Sequence, residues 1–356
     1  MFLHNLNSGP SILPRPVLEE AAAAIHNFNG TGLSILEIGH RTTHFMEVLE
    51  EAIQSVRTLT GLGDDYAVLF LHGGATTQFM QVPMNLLPQN GLAAYCDNGI
   101  WGNKAAKEAA LFGTVDVVAD SSDQKHTYIQ KDLLVPDKAS YLHITTNNTV
   151  EGTQWHQYPD VQVPLVADMS SDIFCRPTPF HQFDLIYAGA QKNMGAAGVN
   201  MVIIKKELLG KTGRAIPTIM DYQKHIAAGS LMNTPPVFAV YVSMLTLRWI
   251  IQEGGLAEMQ RRNEAKARLL YDTLDSLPVF RPTVQREDRS LMNAVFFLQD
   301  PGLEASFLEQ CKQAGMIGVK GYRTVGGCRV SMYNALPYSS VEAFCDLLRN
   351  FAAKHG

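Results

Sequence analysis

The chain has 356 residues, of which 46% are hydrophobic, 18% charged and 9% aromatic. That length fits roughly two domains of about 150 residues and buries roughly 75% of the unfolded surface, so no metal or disulfide scaffold is needed and a disordered chain is excluded. Twenty-nine lysines and arginines against 34 aspartates and glutamates give a formal charge of −5, the opposite of a general nucleic-acid binder.

The five cysteines are far apart and form no Cys-x-x-Cys, which argues against a disulfide framework or a zinc ribbon. The first residues, MFLHNLNSGPSILPRP, lack a basic region followed by a long apolar run. No apolar stretch reaches the roughly 18 residues of a membrane span. A cytoplasmic protein is expected, with no membrane and no nucleic acid among its partners.

In chain order, Gly9, Pro10, Pro14 and Pro16 predict an extended arm over residues 1–15. Residues 43–60 place Phe45, Val48, Leu49, Ala52, Ile53 and Val56 at helical spacing. YAVLFLH at 66–72 reads as a buried strand, followed by Gly73-Gly74 and a helix from near Thr76. Further strands are expected at 92–96, 114–119, 140–145, 163–167, 184–190 and 199–204, with a helix at 100–112. Short apolar strands alternating with helices predict an α/β domain with a mostly parallel sheet. Past residue 236 come two long helices, 237–252 and 255–277. Strands at 293–298 and 328–333 and helices near 302–314 and 339–354 follow. The expected division is an arm at 1–15, a large domain at 16–255 and a smaller α+β domain at 256–356.

Two motifs lead nowhere, and a third is absent. Gly210-Lys211-Thr212 has Lys205 where a P-loop needs glycine, and reads as a helix end. His40 and His44 have zinc-pair spacing, but Arg41 stands between them and no glutamate does, so no metal is expected. No Gly-x-Ser-x-Gly elbow occurs.

One constellation carries chemistry. Asp168 closes a strand, and Lys192 follows the next one in AGAQKN. If the two strands are parallel, both side chains emerge at the carboxyl edge of the sheet, where open α/β sheets bind ligands. Gly73-Gly74-Ala75-Thr76 opens a helix whose N–H groups suit a phosphate. Thr149 and Trp101 also follow strands. Each feature alone has an ordinary explanation in a turn, a cap or packing. Together they suit an aldehyde cofactor with a ring nitrogen and a phosphate. The lysine forms a Schiff base, the aspartate keeps the ring nitrogen protonated, the indole stacks, and the helix start holds the phosphate.

The stretches NSGPSILP, GHR (39–41), HGGA (72–75), NGIWGNKA (98–105), NNTVEGT (147–153), VADMSSD (166–172), YAGAQKN (187–193), NTPP (233–236) and GYRTVGGCR (321–329) span nearly the whole chain. In them the sequence resembles the phosphoserine aminotransferase family, class V enzymes of fold-type I that use pyridoxal 5′-phosphate. The resemblance implies that Lys192 binds the cofactor covalently and Asp168 faces its ring nitrogen. Trp101 would stack on the ring, Thr149 would bond its hydroxyl side, and Ala75, Thr76 and Gln191 would hold its phosphate. Asn233 and Thr234 would reach that phosphate from a partner subunit, which implies a homodimer with shared sites. Arg329 would grip the substrate α-carboxylate with Ser8 beside it, and His40, Arg41 and Arg323 would bind the distal phosphate or carboxylate. Thr76 and Tyr322 stand where many members carry arginine and histidine, leaving fewer cations near that pocket.

The implied reaction moves an amino group between L-glutamate and 3-phosphohydroxypyruvate, giving 2-oxoglutarate and O-phospho-L-serine. A class V enzyme acting on alanine or serine with glyoxylate would leave Arg41 and Arg323 without a task. A carrier or regulator that binds the cofactor without turnover would not need both the aspartate and the lysine.

Overall fold

The computed structural model describes residues 3–355. A two-residue strand, β1 (His4–Asn5), lies in the arm, and α1 (Arg15–His26) ends it. Then come α2 (Thr43–Thr60), β2 (Tyr66–His72), α3 (Ala75–Leu86), β3 (Leu92–Asp97), α4 (Ile100–Ala109) and β4 (Thr114–Asp120). They are followed by β5 (Ala139–Thr145), β6 (Leu165–Asp168), β7 (Leu185–Gly189), β8 (Val199–Lys205), α5 (Tyr222–Ala227) and α6 (Val237–Gln252). The chain finishes with α7 (Gly255–Ser276), β9 (Phe280–Pro282), β10 (Asn293–Leu298), α8 (Glu304–Gln313), β11 (Met316–Ile317), β12 (Cys328–Ser331) and α9 (Tyr338–His355).

A seven-stranded sheet runs in the order β2-β8-β7-β6-β5-β3-β4. Only β8 is antiparallel to its neighbours, so the other six strands end at one edge. Both faces are covered. Along β2, Val68 and Phe70 face a core built with Val17, Phe45 and Val240, whereas Ala67, Leu69 and Leu71 face one built with Phe79, Ala105 and Tyr222. This period of two on a doubly buried strand is why β2 reads as an unbroken apolar run.

A third core joins α7, α9 and the antiparallel sheet β12-β10-β9. The arm belongs to this core as much as to the first: Leu6 is buried in it, and β1 pairs in parallel with β11. The buried Lys266 on α7 donates its three protons to the carbonyls of Met332, Tyr333 and Leu336 at 3.0, 2.7 and 3.2 Å. The loop it fixes is also tied to the large sheet, since Asn334 N–H donates to Asn193 Oδ1 at 2.9 Å.

Differences from the sequence reading are local. Gly210-Lys211-Thr212 follows a single 3₁₀ turn, Lys206–Leu208, and not an α-helix. α1 lies where no helix was expected. β6 starts after Pro164, which has no N–H for the ladder, and Asp168 is its last residue. All five cysteines are buried and unpaired. Among the described residues, no helix is long and apolar enough to cross a membrane.

Candidate active site

The carboxyl edge of the sheet assembles the site. β6 and β7 are parallel, with Asp168 opposite Tyr187, so the turn after β7 carries Lys192 back toward Asp168. Asp168 is buried, and its Oδ1 accepts the Ser170 N–H at 2.9 Å. Burial raises its pKa, while Lys192 and the Ser170 bond pull it down. The pKa of Lys192 is lowered, again chiefly by burial, with Asp168 opposing. Both groups are thus pushed toward their neutral forms and held back by their mutual attraction. A lysine with a depressed pKa is the form that attacks a carbonyl.

Lys192 Nζ donates to Thr149 Oγ1 at 2.9 Å. The Thr149 carbonyl accepts from Arg329 Nη1 at 2.9 Å, and Arg329 Nη2 donates to Ser8 Oγ at 2.7 Å. Tyr333 OH donates to the Ser8 carbonyl at 2.8 Å and fixes the arm. Arg329 is 8% exposed, its Nε has no partner, and no carboxylate forms a salt bridge with it among the described residues. A buried guanidinium hydrogen-bonded only to neutral oxygens has the geometry to take a planar anion.

Trp101 is the second residue of α4, and its ring centre lies 5.8 Å from Lys192 Nζ and 4.6 Å from Lys104 Nζ. Ala75 opens α3 behind Gly74, which offers no capping side chain, so the helix start is open to an anion. Gly73 has φ +93°, and a Cβ there would lie 2.5 Å from Thr77 Oγ1, so only glycine makes this turn. Ala75 and Gln191 are half-buried and Thr76 is exposed. A buried carboxylate beside a depressed lysine, an indole across from it and an uncapped helix start together fit pyridoxal phosphate.

Other expected residues are not joined to this cluster. Asn233 Nδ2 lies 3.1 Å from His72 Nδ1 of its own chain, and Thr234 is exposed. His40 is half-buried and its Nε2 has no partner. Arg41 and Arg323 are exposed, and no acid pairs with either among the described residues. Tyr322 is half-buried next to Arg323.

The structure adds residues that the sequence did not single out. The Ser11 hydroxyl donates to the Lys192 carbonyl, and its N–H donates to the Gln191 carbonyl at 2.9 Å. Both serines of NSGPSILP therefore reach the lysine turn or Arg329, and the polar residues in that proline-rich arm were the available signal. Glu151 and Tyr333 also stand at the site; Glu151 lies within the NNTVEGT stretch, but nothing in the sequence gives it a role.

Fold and site together define the class: the chain belongs to the aminotransferase class-V family, whose family model matches residues 3–344. It is 51% identical over 355 residues to the phosphoserine aminotransferase of Flavobacterium johnsoniae, covering 99% of this chain and 100% of that one. The solved phosphoserine aminotransferase from Bacillus circulans subsp. alkalophilus superposes with a TM-score of 0.97 at 42% identity, covering 100% of this chain and 99% of that one. A pyridoxal-phosphate-bound phosphoserine aminotransferase from Trichomonas vaginalis gives 0.93 at 34% identity, covering 98% and 100%.

Proposed function

We propose that the chain is a pyridoxal-phosphate enzyme that transaminates between L-glutamate and 3-phosphohydroxypyruvate, giving 2-oxoglutarate and O-phospho-L-serine. The observation that carries this reading is the unbroken run of contacts from Lys192 through Thr149 and Arg329 to Ser8. The Lys192 amine and the Arg329 guanidinium lie on two sides of Thr149, which supports an α-amino acid as substrate.

Bound pyridoxal phosphate supplies an electron sink for the charge that develops at the substrate α-carbon. Lys192 holds the cofactor, then takes the α-proton and returns it, acting as base and then acid. Asp168 would keep a proton on the ring nitrogen through a charge-assisted bond worth about 1.5–3 kcal/mol. Trp101 would stack on the ring, Thr149 would bond its hydroxyl side, and Ala75, Thr76 and Gln191 would hold the phosphate. Arg329 and Ser8 grip the α-carboxylate. His40, Arg41 and Arg323 receive the distal anion. Asn233 and Thr234 serve the site of a second copy, in a homodimer. Residues 16–255 act as the cofactor-binding lobe and 256–356 as the smaller lobe, with the arm at 1–15 bridging them. The five buried, unpaired cysteines accord with work in a reducing cytoplasm.

The test is a set of half-reactions of the purified protein with glutamate, phosphoserine and alanine, followed through cofactor absorbance. Fast reaction with the first two and slow reaction with alanine is expected. Alanine reacting as fast as phosphoserine would replace the phosphoserine reading with a glyoxylate-type one.

A further inference from the structure

Glu151 stands two residues past Thr149, is 6% exposed, and has no part in the chemistry above. Its Oε1 accepts the Ile100 N–H at 2.9 Å. Ile100 is the first residue of α4, and Gly99 before it has no side chain with which to cap the helix. The first N–H groups of a helix need acceptors, which the preceding residue usually supplies. Here a carboxyl from another loop supplies one. Gly99 makes room for it, because a Cβ at that position would lie 2.8 Å from Glu151 Oε2 and 2.6 Å from Asn148 Oδ1.

The residue after Ile100 is Trp101. One loop therefore receives the Lys192 bond through Thr149 and anchors the indole's helix through Glu151. A carboxyl that merely filled space would be an expensive filler, because Glu151 Oε2 is buried without a partner. The positive end of α4 offsets part of that cost.

We propose that Glu151 is a positioning residue that holds Trp101 over Lys192 through the first turn of α4. The cofactor-binding part of the test rests on the aminotransferase reading; the Trp101 part does not. Burial is the largest influence on the carboxyl and pushes its pKa up to about 7; Asp97 at the end of β3 pushes the same way, and Arg329 on β12 opposes. Lys125, His126 and Arg281 line the same cavity of about 1090 Å³. The ionised form is the stronger acceptor, so the ring is held more firmly above pH 7 than below.

The experiment compares full-length wild type, E151Q and E151A. Trp101 fluorescence is isolated by difference from a W101F counterpart of each, which removes Trp155 and Trp249, and is titrated through pH 7. Affinity for pyridoxal phosphate is measured on the same proteins. Wild type should show a step near pH 7 that E151Q lacks. E151Q, which keeps an acceptor for Ile100, should bind cofactor within about threefold of wild type, and E151A roughly fivefold to thirtyfold more weakly, the size of one lost helix cap. An unchanged step in E151Q overturns the proposal, as does E151A with wild-type affinity and wild-type Trp101 emission. Should E151A fail to fold, the E151Q titration decides alone. A wild type that takes up no cofactor would instead overturn the aminotransferase reading, and the Trp101 titration would still decide the role of Glu151.

Discussion

The Arg329 guanidinium donates to the Ser8 hydroxyl at 2.7 Å across 321 positions of chain. Its other partner, the Thr149 carbonyl, is neutral too, so no carboxylate is hydrogen-bonded to the buried charge. Every amino-acid substrate brings an α-carboxylate, whereas only phosphoserine and glutamate bring a second anion. R329A should therefore weaken phosphoserine, glutamate and alanine alike, by about 2–5 kcal/mol. R41A and R323A should damage phosphoserine severely and leave any slow alanine reaction almost unchanged. Single-turnover kinetics on the three substrates checks this. Equal losses on phosphoserine and alanine for R323A would remove the distal-anion role.

K192A should fold and yet hold no cofactor covalently. Borohydride reduction followed by peptide mapping should label Lys192 in wild type and no lysine in the variant. Label on Lys205 or Lys104 would transfer the role elsewhere.

If Asn233 and Thr234 serve a neighbouring site, two defective proteins can repair each other. Mixed dimers of K192A with an N233A/T234A double variant contain one intact site and should recover part of the activity. Heterodimers shown to form but remaining inactive would count against a shared site.

The buried carboxyls give stability a definite pH sign. Burial lifts Glu151 from its ordinary 4.5 to about 7, and Asp172 from 3.8 to about 6. The folded chain then binds more protons than the unfolded one between those limits. This contribution is complete below the ordinary values and is lost as pH rises through the folded ones. E151Q should flatten the fall in urea midpoint between pH 4.5 and about 7. Parallel curves for E151Q and wild type would show that the carboxyl is already ionised in the folded state.

Lys266 matches three donors to three carbonyls, and its loop touches Asn193 beside Lys192. K266M keeps much of the apolar stem and takes the lysine donor from the Met332 and Leu336 carbonyls, whereas the Tyr333 carbonyl still accepts the Leu336 N–H at 2.9 Å. It should cost about 1–3 kcal/mol for each acceptor left without a donor. A loss under about 1 kcal/mol would mean that the loop finds other donors.

Much of this was readable in advance, for reasons particular to each element. α2, β2 and β10 fall where periodicity put them, because each is buried along a whole stripe or on both faces. α1 escaped because Pro14 and Pro16 suggested extension, yet proline in a first helical turn is compatible with a helix, and Val17, Ala21 and Ala24 mark its buried face. β1, β9 and β11 have two or three residues, too few to show a period. Asp168 and Lys192 could be paired because strand ends converge on one edge of a parallel sheet. Glu151 could not, since its partner Ile100 lies 51 positions away and the bond is to backbone, which leaves no trace in side-chain pattern.

The docked arm has a further consequence, for synthesis. Gly9 lies so close to the lysine turn that a Cβ would sit 3.2 Å from Lys192 Cγ, while β1 must pair with residues beyond 315. The arm thus leaves the ribosome long before the residues that hold it, since Ser8 and Arg329 are 321 positions apart. At 5–20 residues per second, Ser8 waits roughly 15–60 s for Arg329. A nascent chain stalled before β11 could complete its large sheet and still present Lys192 to solvent without the arm that closes over it.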